Sequence, residues 1–141
     1  MTNTSPTVIT VKTIVNAPVS KVWEYWTKSE HIMQWNNASD EWHTPAAKND
    51  LRKDGRFVFT MAARDGSMSF DFEGVYTEVV EHKLIAYVMA DGRTAKIIFD
   101  GQDYQTEIVE SFDAESVNSI ELQRTGWQNI LDNFKKYTES H

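Results

Sequence analysis

The chain has 141 residues with 14 Lys plus Arg, 21 Asp plus Glu, no cysteine and a formal net charge of -7. This length holds one domain with a sizeable core, since a folded chain of about 150 residues buries roughly 68 to 70% of its unfolded surface. The missing thiols exclude disulfides, thiolate metal sites and cysteine nucleophiles, and the polar start and lack of any run of ~18 apolar residues predict a cytoplasmic protein without membrane insertion.

In chain order, residues 7–15 (TVITVKTIV) have strand composition. Pro18 suits a first helical position, and Val19, Val22, Trp23 and Trp26 recur at helical spacing, which predicts an amphipathic helix. A second short helical segment follows near Glu30 to Trp35. All three prolines, Pro6, Pro18 and Pro45, precede residue 46, so nothing beyond it removes a ladder donor. Four Asp-Gly pairs, at 54–55, 65–66, 91–92 and 100–101, mark tight turns between strand-like runs at 56–63, 68–80, 84–90, 94–99 and 104–112. Residues 42–48 offer one strand more. Period-two alternation puts Phe57, Phe59 and Met61 on one face, as it does Met68, Phe70, Phe72 and Tyr76, with Asp71 and Glu73 opposite. The chain closes on a long helix over about Ser116 to Tyr137, with Ile120, Trp127, Ile130, Leu131, Phe134 and Tyr137 along one stripe.

This order predicts an α+β helix-grip fold: a curved antiparallel sheet of six or seven strands, two short helices after strand one, and a long C-terminal helix across the sheet. A single domain is expected over residues 7–138, with flexible tails at 1–6 and 139–141. One helix is only ~10 to 12 Å wide and cannot fill a concave sheet of that breadth, so the gap holds either a dry aromatic core or an internal apolar cavity. Gly74 on an apolar strand face and Gly126 within the long helix point to a need for space or close approach.

Charge and chemistry narrow the function. Asp100, Asp103, Glu107, Glu110, Asp113, Glu115 and Glu121 stand in a stretch without Lys or Arg and read as a solvated face that maintains solubility. No basic footprint remains elsewhere, which argues against nucleic acid as a partner. None of His31, His43, His82 and His141 sits in a motif; His43, beside Asp40, Glu41 and Trp42, is the one candidate base. No serine elbow, phosphate loop or His-Glu-x-x-His is present, so neither a metal nor another cofactor is expected. Asp71 and Glu73 are read as solvated and paired across the strands with basic residues; only a reversal of faces would bury them as general acids. The candidate ligand-binding set is Phe59, Met61, Phe70, Phe72, Tyr87, Phe99, Trp127 and Leu131 between helix and sheet, Trp35 and Trp42 at the open end, and Gln123 as an orienting polar group beside Arg124.

Four segments carry a family resemblance over about residues 7–138. They are Ala17-Pro18-Val19-Ser20-Lys21-Val22-Trp23 continuing through Trp26, Thr27, His31 and Trp35; Asp50-Leu51-Arg52 leading to Gly55 and Phe57; Gly74 to Val79; and Gly126 to Leu131 with Phe134 and Tyr137. Together they resemble the START-like (SRPBCC, polyketide-cyclase-related) superfamily, which includes the birch pollen allergen type of helix-grip. Within it they are most similar to the carboxy-terminal domain of the heat-shock protein 90 ATPase activator. Asp54 departs from the pattern, standing where the family commonly has the first glycine of a Gly-Gly pair. The resemblance implies the same helix-grip with a cavity under the long helix, and no single activity, because its members bind lipids and polyketides, cyclise, hydrolyse, sequester or assist a chaperone. The expectation is therefore non-enzymatic binding of a small hydrophobic or aromatic molecule between helix and sheet. Two alternatives stand beside it: a co-chaperone-like interaction module of the stress response, partnered by a chaperone or a second copy, and a cyclase or hydrolase using His43 or a buried carboxylate.

Overall fold

The computed structural model describes residues 7–141. Its elements are β1 (Val8–Val15), α1 (Val19–Thr27), α2 (Ser29–Trp35), β2 (Trp42–Asn49), β3 (Arg56–Ala63), β4 (Ser69–Val80), β5 (Leu84–Met89), β6 (Thr94–Gln102), β7 (Gln105–Asp113) and α3 (Ile120–Ser140). The strands form one antiparallel sheet in the order β1-β7-β6-β5-β4-β3-β2. The first two strands of the chain thus lie at opposite edges, and α1 and α2 make the crossing between them. Register shifts between His43 and Ala46 and between Tyr76 and Glu78 introduce bulges, which bend the sheet around its apolar face. This is the α+β helix-grip read from the pattern.

Alternation along the strands builds the core. Ile9, Val11 and Val15 of β1, Ile85, Tyr87 and Met89 of β5, Ala95, Ile97 and Phe99 of β6, and Ile108 and Phe112 of β7 all point inward and are buried. The helices close over them with Trp23 and Val22 of α1, Ile32 and Trp35 of α2, and Leu131 and Phe134 of α3. Side chains of α3 also cap the free edge of β1: Gln128 Nε2 donates to the Lys12 carbonyl at 3.1 Å, and Lys135 Nζ donates to the Ile14 carbonyl at 2.7 Å. These bonds occupy edge acceptors that would otherwise be open to another strand. Asn133 Nδ2 donates to the Trp35 carbonyl at 2.8 Å, which fixes α3 over the end of α2.

The structure departs from the sequence reading at three places. Asp100-Gly101 is not a turn; both residues lie in β6 and pair with Glu107 and Thr106, and the chain reverses one step later with Asp103 at φ 49°. Gly101 is small because a Cβ there would lie 2.8 Å from the Val19 side chain, so it admits α1 against β6. Secondly, α3 begins at Ile120, where the Ser119 hydroxyl caps the Leu122 N–H at 3.1 Å, and it runs on to Ser140. Residues 139 and 140, expected in a flexible tail, are therefore helical, and Glu139 accepts from the Asn16 N–H at 2.8 Å and from Lys135 at 2.6 Å. The tail expected at 1–6 falls outside the described residues. Thirdly, Asp71 is exposed as expected, but its partner is the Thr60 hydroxyl at 2.8 Å rather than a basic side chain. Asp54, the departure from the family pattern, adopts φ 69° and so takes up the left-handed conformation that a glycine would supply. Among the described residues no helix is long and apolar enough to cross a membrane.

Candidate functional site

Strand β7 places Thr106, Ile108, Glu110 and Phe112 on its buried face, so a carboxyl stands in an apolar row. Glu110 is only 7% exposed. Burial pushes its pKa up to about 8, and no hydrogen bond or neighbouring cation offsets that. At neutral pH the group is mostly a neutral acid and can donate an O–H bond as well as accept one. The acidic stretch is therefore not uniformly solvated: its member at 110 is an interior group. Alternation alone contained the signal, because Ile108 and Phe112 flank Glu110 at two-residue spacing.

Glu110 lines a pocket of ≈ 210 Å³ that also takes in residues from α1, α2, β2, β3, β4, β5, β6 and α3. Its walls are mainly aromatic: Trp26, Trp35, Phe57, Phe59, Phe70, Phe72, Tyr76, Tyr87 and Trp127, joined by Met61, Ile85, Ile97 and Ile130. The rings interlock edge to face. Trp26 meets Phe134 at 4.8 Å, Phe57 meets Tyr87 at 4.9 Å, and Phe72 meets Trp127 at 6.1 Å between centroids. The remaining polar lining is mostly committed. Asn49 Nδ2 donates to the Thr27 carbonyl at 2.6 Å, the Tyr76 hydroxyl donates to Asn49 Oδ1, and the Thr27 hydroxyl donates to the Trp23 carbonyl at 2.7 Å. Burial raises the pKa of both Tyr76 and Tyr87, and the Glu110 carboxyl raises that of Tyr87 further. Both phenols thus remain protonated across the physiological range.

Seven of the eleven residues singled out from sequence meet here: Trp35, Phe59, Met61, Phe70, Phe72, Tyr87 and Trp127. The other four lie elsewhere. Phe99 is buried against Trp23, with centroids 5.2 Å apart, and Leu131 is enclosed in the core under α3. Trp42 is outside the lining and meets the Phe70 ring edge to face at 5.8 Å between centroids. Gln123 is turned toward the loop before α3: its Oε1 accepts from the Glu115 N–H at 2.8 Å, and its Nε2 donates to the carbonyls of Glu115 and Asn118 at 3.1 and 2.9 Å. His43, on β2 opposite Ala62, is outside the lining, and His31 is held by the Tyr137 hydroxyl at 2.7 Å and stacked on Tyr25. Sequence reasoning missed Trp26, Asn49, Tyr76 and above all Glu110 as pocket residues.

The comparisons agree with this architecture. The model of the family described as Activator of Hsp90 ATPase homolog 1-like protein matches residues 16–139. The solution structure of an AHSA1-like protein from Aeromonas hydrophila is 40% identical, covering 95% of this chain and 93% of that one with a TM-score of 0.89. A protein from Cytophaga hutchinsonii is 55% identical over 94% of this chain and 92% of its own, with a TM-score of 0.81. The Aha1 dimer from Colwellia psychrerythraea, at 13% identity, 94% and 96% coverage and a TM-score of 0.74, shares the fold. No curated protein matches the chain. With 40 to 55% of the positions shared over nearly full length and the family pattern spanning all but the first strand, this chain belongs to the Activator of Hsp90 ATPase homolog 1-like family, a branch of the START-like superfamily.

Proposed function

We propose that this protein is a cytoplasmic, non-enzymatic binder of a small hydrophobic or aromatic molecule, held under α3 against the concave sheet. The observation that carries this reading is the aromatic pocket with one unpartnered acid, Glu110, in its wall. Apolar area removed from water, at roughly 25 cal/mol per Å², supplies affinity, and Glu110, the one acid among the polar groups of the lining, sets orientation. A binding role fits better than catalysis because, among the described residues, the lining pairs Glu110 with no Ser, Lys or His that could serve as its reacting partner. Thermal unfolding against a panel of one- and two-ring compounds tests it. A ligand at about 100 times its dissociation constant adds ~2.7 kcal/mol to stability, and a panel without any shift would overturn the reading.

A second reading, an interaction module directed at a chaperone or a second copy, is favoured by the family description and by Met68 and Phe70, which are 63% and 49% exposed at the start of β4. Sizing chromatography of the protein and of a Met68→Ser variant distinguishes the two, since a self-association that uses this end weakens in the variant while ligand-induced stabilisation persists.

A further inference from the structure

We propose that the molecule held in this pocket is a compact aromatic amine, its protonated nitrogen seated against the Glu110 carboxylate inside the ring of aromatic side chains. This rests on the pocket being a binding site and adds the chemical class of its occupant.

Glu110 is the one residue of the lining that can carry a charge near neutral pH, and no Lys, Arg or His joins it there. An anionic occupant such as a fatty acid would meet no counter-charge and would confront a carboxyl. A neutral hydrocarbon would leave that carboxyl buried and unpaired, which is costly. An ammonium meets both needs of the site: it bonds the carboxylate, and the aromatic rings that share the lining with Glu110 offer cation–π stabilisation of its charge. The Asn49 and Tyr76 side chains and the Thr27 carbonyl bond in series, the Thr27 hydroxyl is held by the Trp23 carbonyl, and the Tyr87 hydroxyl and Asn36 amide that complete the polar lining carry no charge, so Glu110 is the strongest acceptor for an ammonium. The size fits as well. A dry cavity of ~150 Å³ accommodates benzene, so ≈ 210 Å³ admits one or two rings with a short arm.

Proton balance follows from the same geometry. The titratable groups that share the lining with Glu110 are Tyr87 from β5 and Tyr76 from β4, both held neutral. The strands beside Glu110 present Val11 and Ile97, and the helices present tryptophan and isoleucine, none of which titrates. Free Glu110 carries a proton at pH 7 and so does the free amine, hence their pairing discards one to the buffer.

Calorimetry with tryptamine, 3-ethylindole and indole-3-propionate, in two buffers of different ionisation enthalpy, tests the assignment on the wild type and on Glu110→Gln. Tryptamine is expected to bind roughly tenfold or more tighter than 3-ethylindole, its neutral analogue without the amine, as a hydrogen bond to a charged group implies. Its binding at pH 7 releases close to one proton, whereas 3-ethylindole releases none, and indole-3-propionate binds weakest. In Glu110→Gln the tryptamine preference collapses while 3-ethylindole is retained. Equal wild-type affinities for tryptamine and 3-ethylindole, preference for the acid, or binding of tryptamine without proton release would overturn the amine assignment and leave the binding reading intact. Failure of all three probes to bind would overturn both. Should Glu110→Gln not fold, the wild-type affinity ratio and proton count decide the matter.

Discussion

Trp127 lies flat on Phe112, with ring centroids 3.8 Å apart and planes 12° from parallel. Phe112 follows Glu110 by two residues on the inward face of β7, so the stack ties Trp127, a wall of the pocket, to the strand that carries the buried acid. Replacing Trp127 by Ala removes both the stack and the edge contact with Phe72, and is expected to cost ~3 kcal/mol in urea denaturation. Water then reaches Glu110, and its pKa, followed by NMR of the side-chain carboxyl, moves down toward the ordinary carboxylate range.

The acid itself sets a pH dependence. In the folded protein Glu110 keeps its proton to about pH 8, whereas in the unfolded chain it ionises near 4.5. Between these values the native state binds more protons, so stability falls as pH rises, toward a loss with an upper bound on the order of 5 kcal/mol above pH 8. Glu110→Gln cannot ionise. Its midpoint in guanidinium should be comparable with wild type near pH 4 and should exceed it progressively from pH 5 to 9; parallel pH profiles would contradict the burial described here.

Two glycines read alike in sequence behave oppositely. A Cβ on Gly74 would stand 2.5 Å from the Val88 carbonyl oxygen and 2.8 Å from the Phe57 ring, so the missing side chain is filled by Phe57 rather than left as open space. Gly74→Ala should destabilise by roughly 1 to 3 kcal/mol through overpacking. A Cβ on Gly126 meets nothing within 4 Å, and Gly126→Ala should stabilise by about 1 kcal/mol through helix propensity. Thermal melts of the pair would show shifts of opposite sign.

Gln123→Ala removes three hydrogen bonds that hold residues 115 and 118 at the entry to α3, which predicts a loss of ~1 to 3 kcal/mol at roughly 0.5 to 1.5 kcal/mol per bond. Because Gln123 is outside the lining, binding of tryptamine at a temperature well below the melt should be unchanged.

The fold was largely legible because turns and periodicity are local. Phe57, Phe59 and Met61 announce a strand face whatever surrounds them, and Pro18 with Trp23 and Trp26 announces a helix. The failures came where a residue's role depends on its neighbours in space. Asp100-Gly101 looks like a turn, yet Gly101 is selected by the approach of Val19, some eighty positions earlier in the chain. Gln123 looks like a ligand group and instead completes a loop. Charge content concealed Glu110: counted among acids it belongs to a wet face, whereas placed between Ile108 and Phe112 it belongs to the interior. Alternation was the better guide there because the pleat decides orientation before charge does.

The strand order has a consequence for biosynthesis. Val8 finds its ladder partner in Asp113 and Val15 in Thr106, so within this domain the first strand synthesised is completed by the last. Until then Ile9, Val11 and Val15 have no sheet to enter, and the nascent polypeptide carries a sticky segment until the seventh strand of the domain has emerged. Strands β2 to β6, each hydrogen-bonded to the strand that follows it, can zip up as they emerge, and closure by β7 then captures β1 in a single late event.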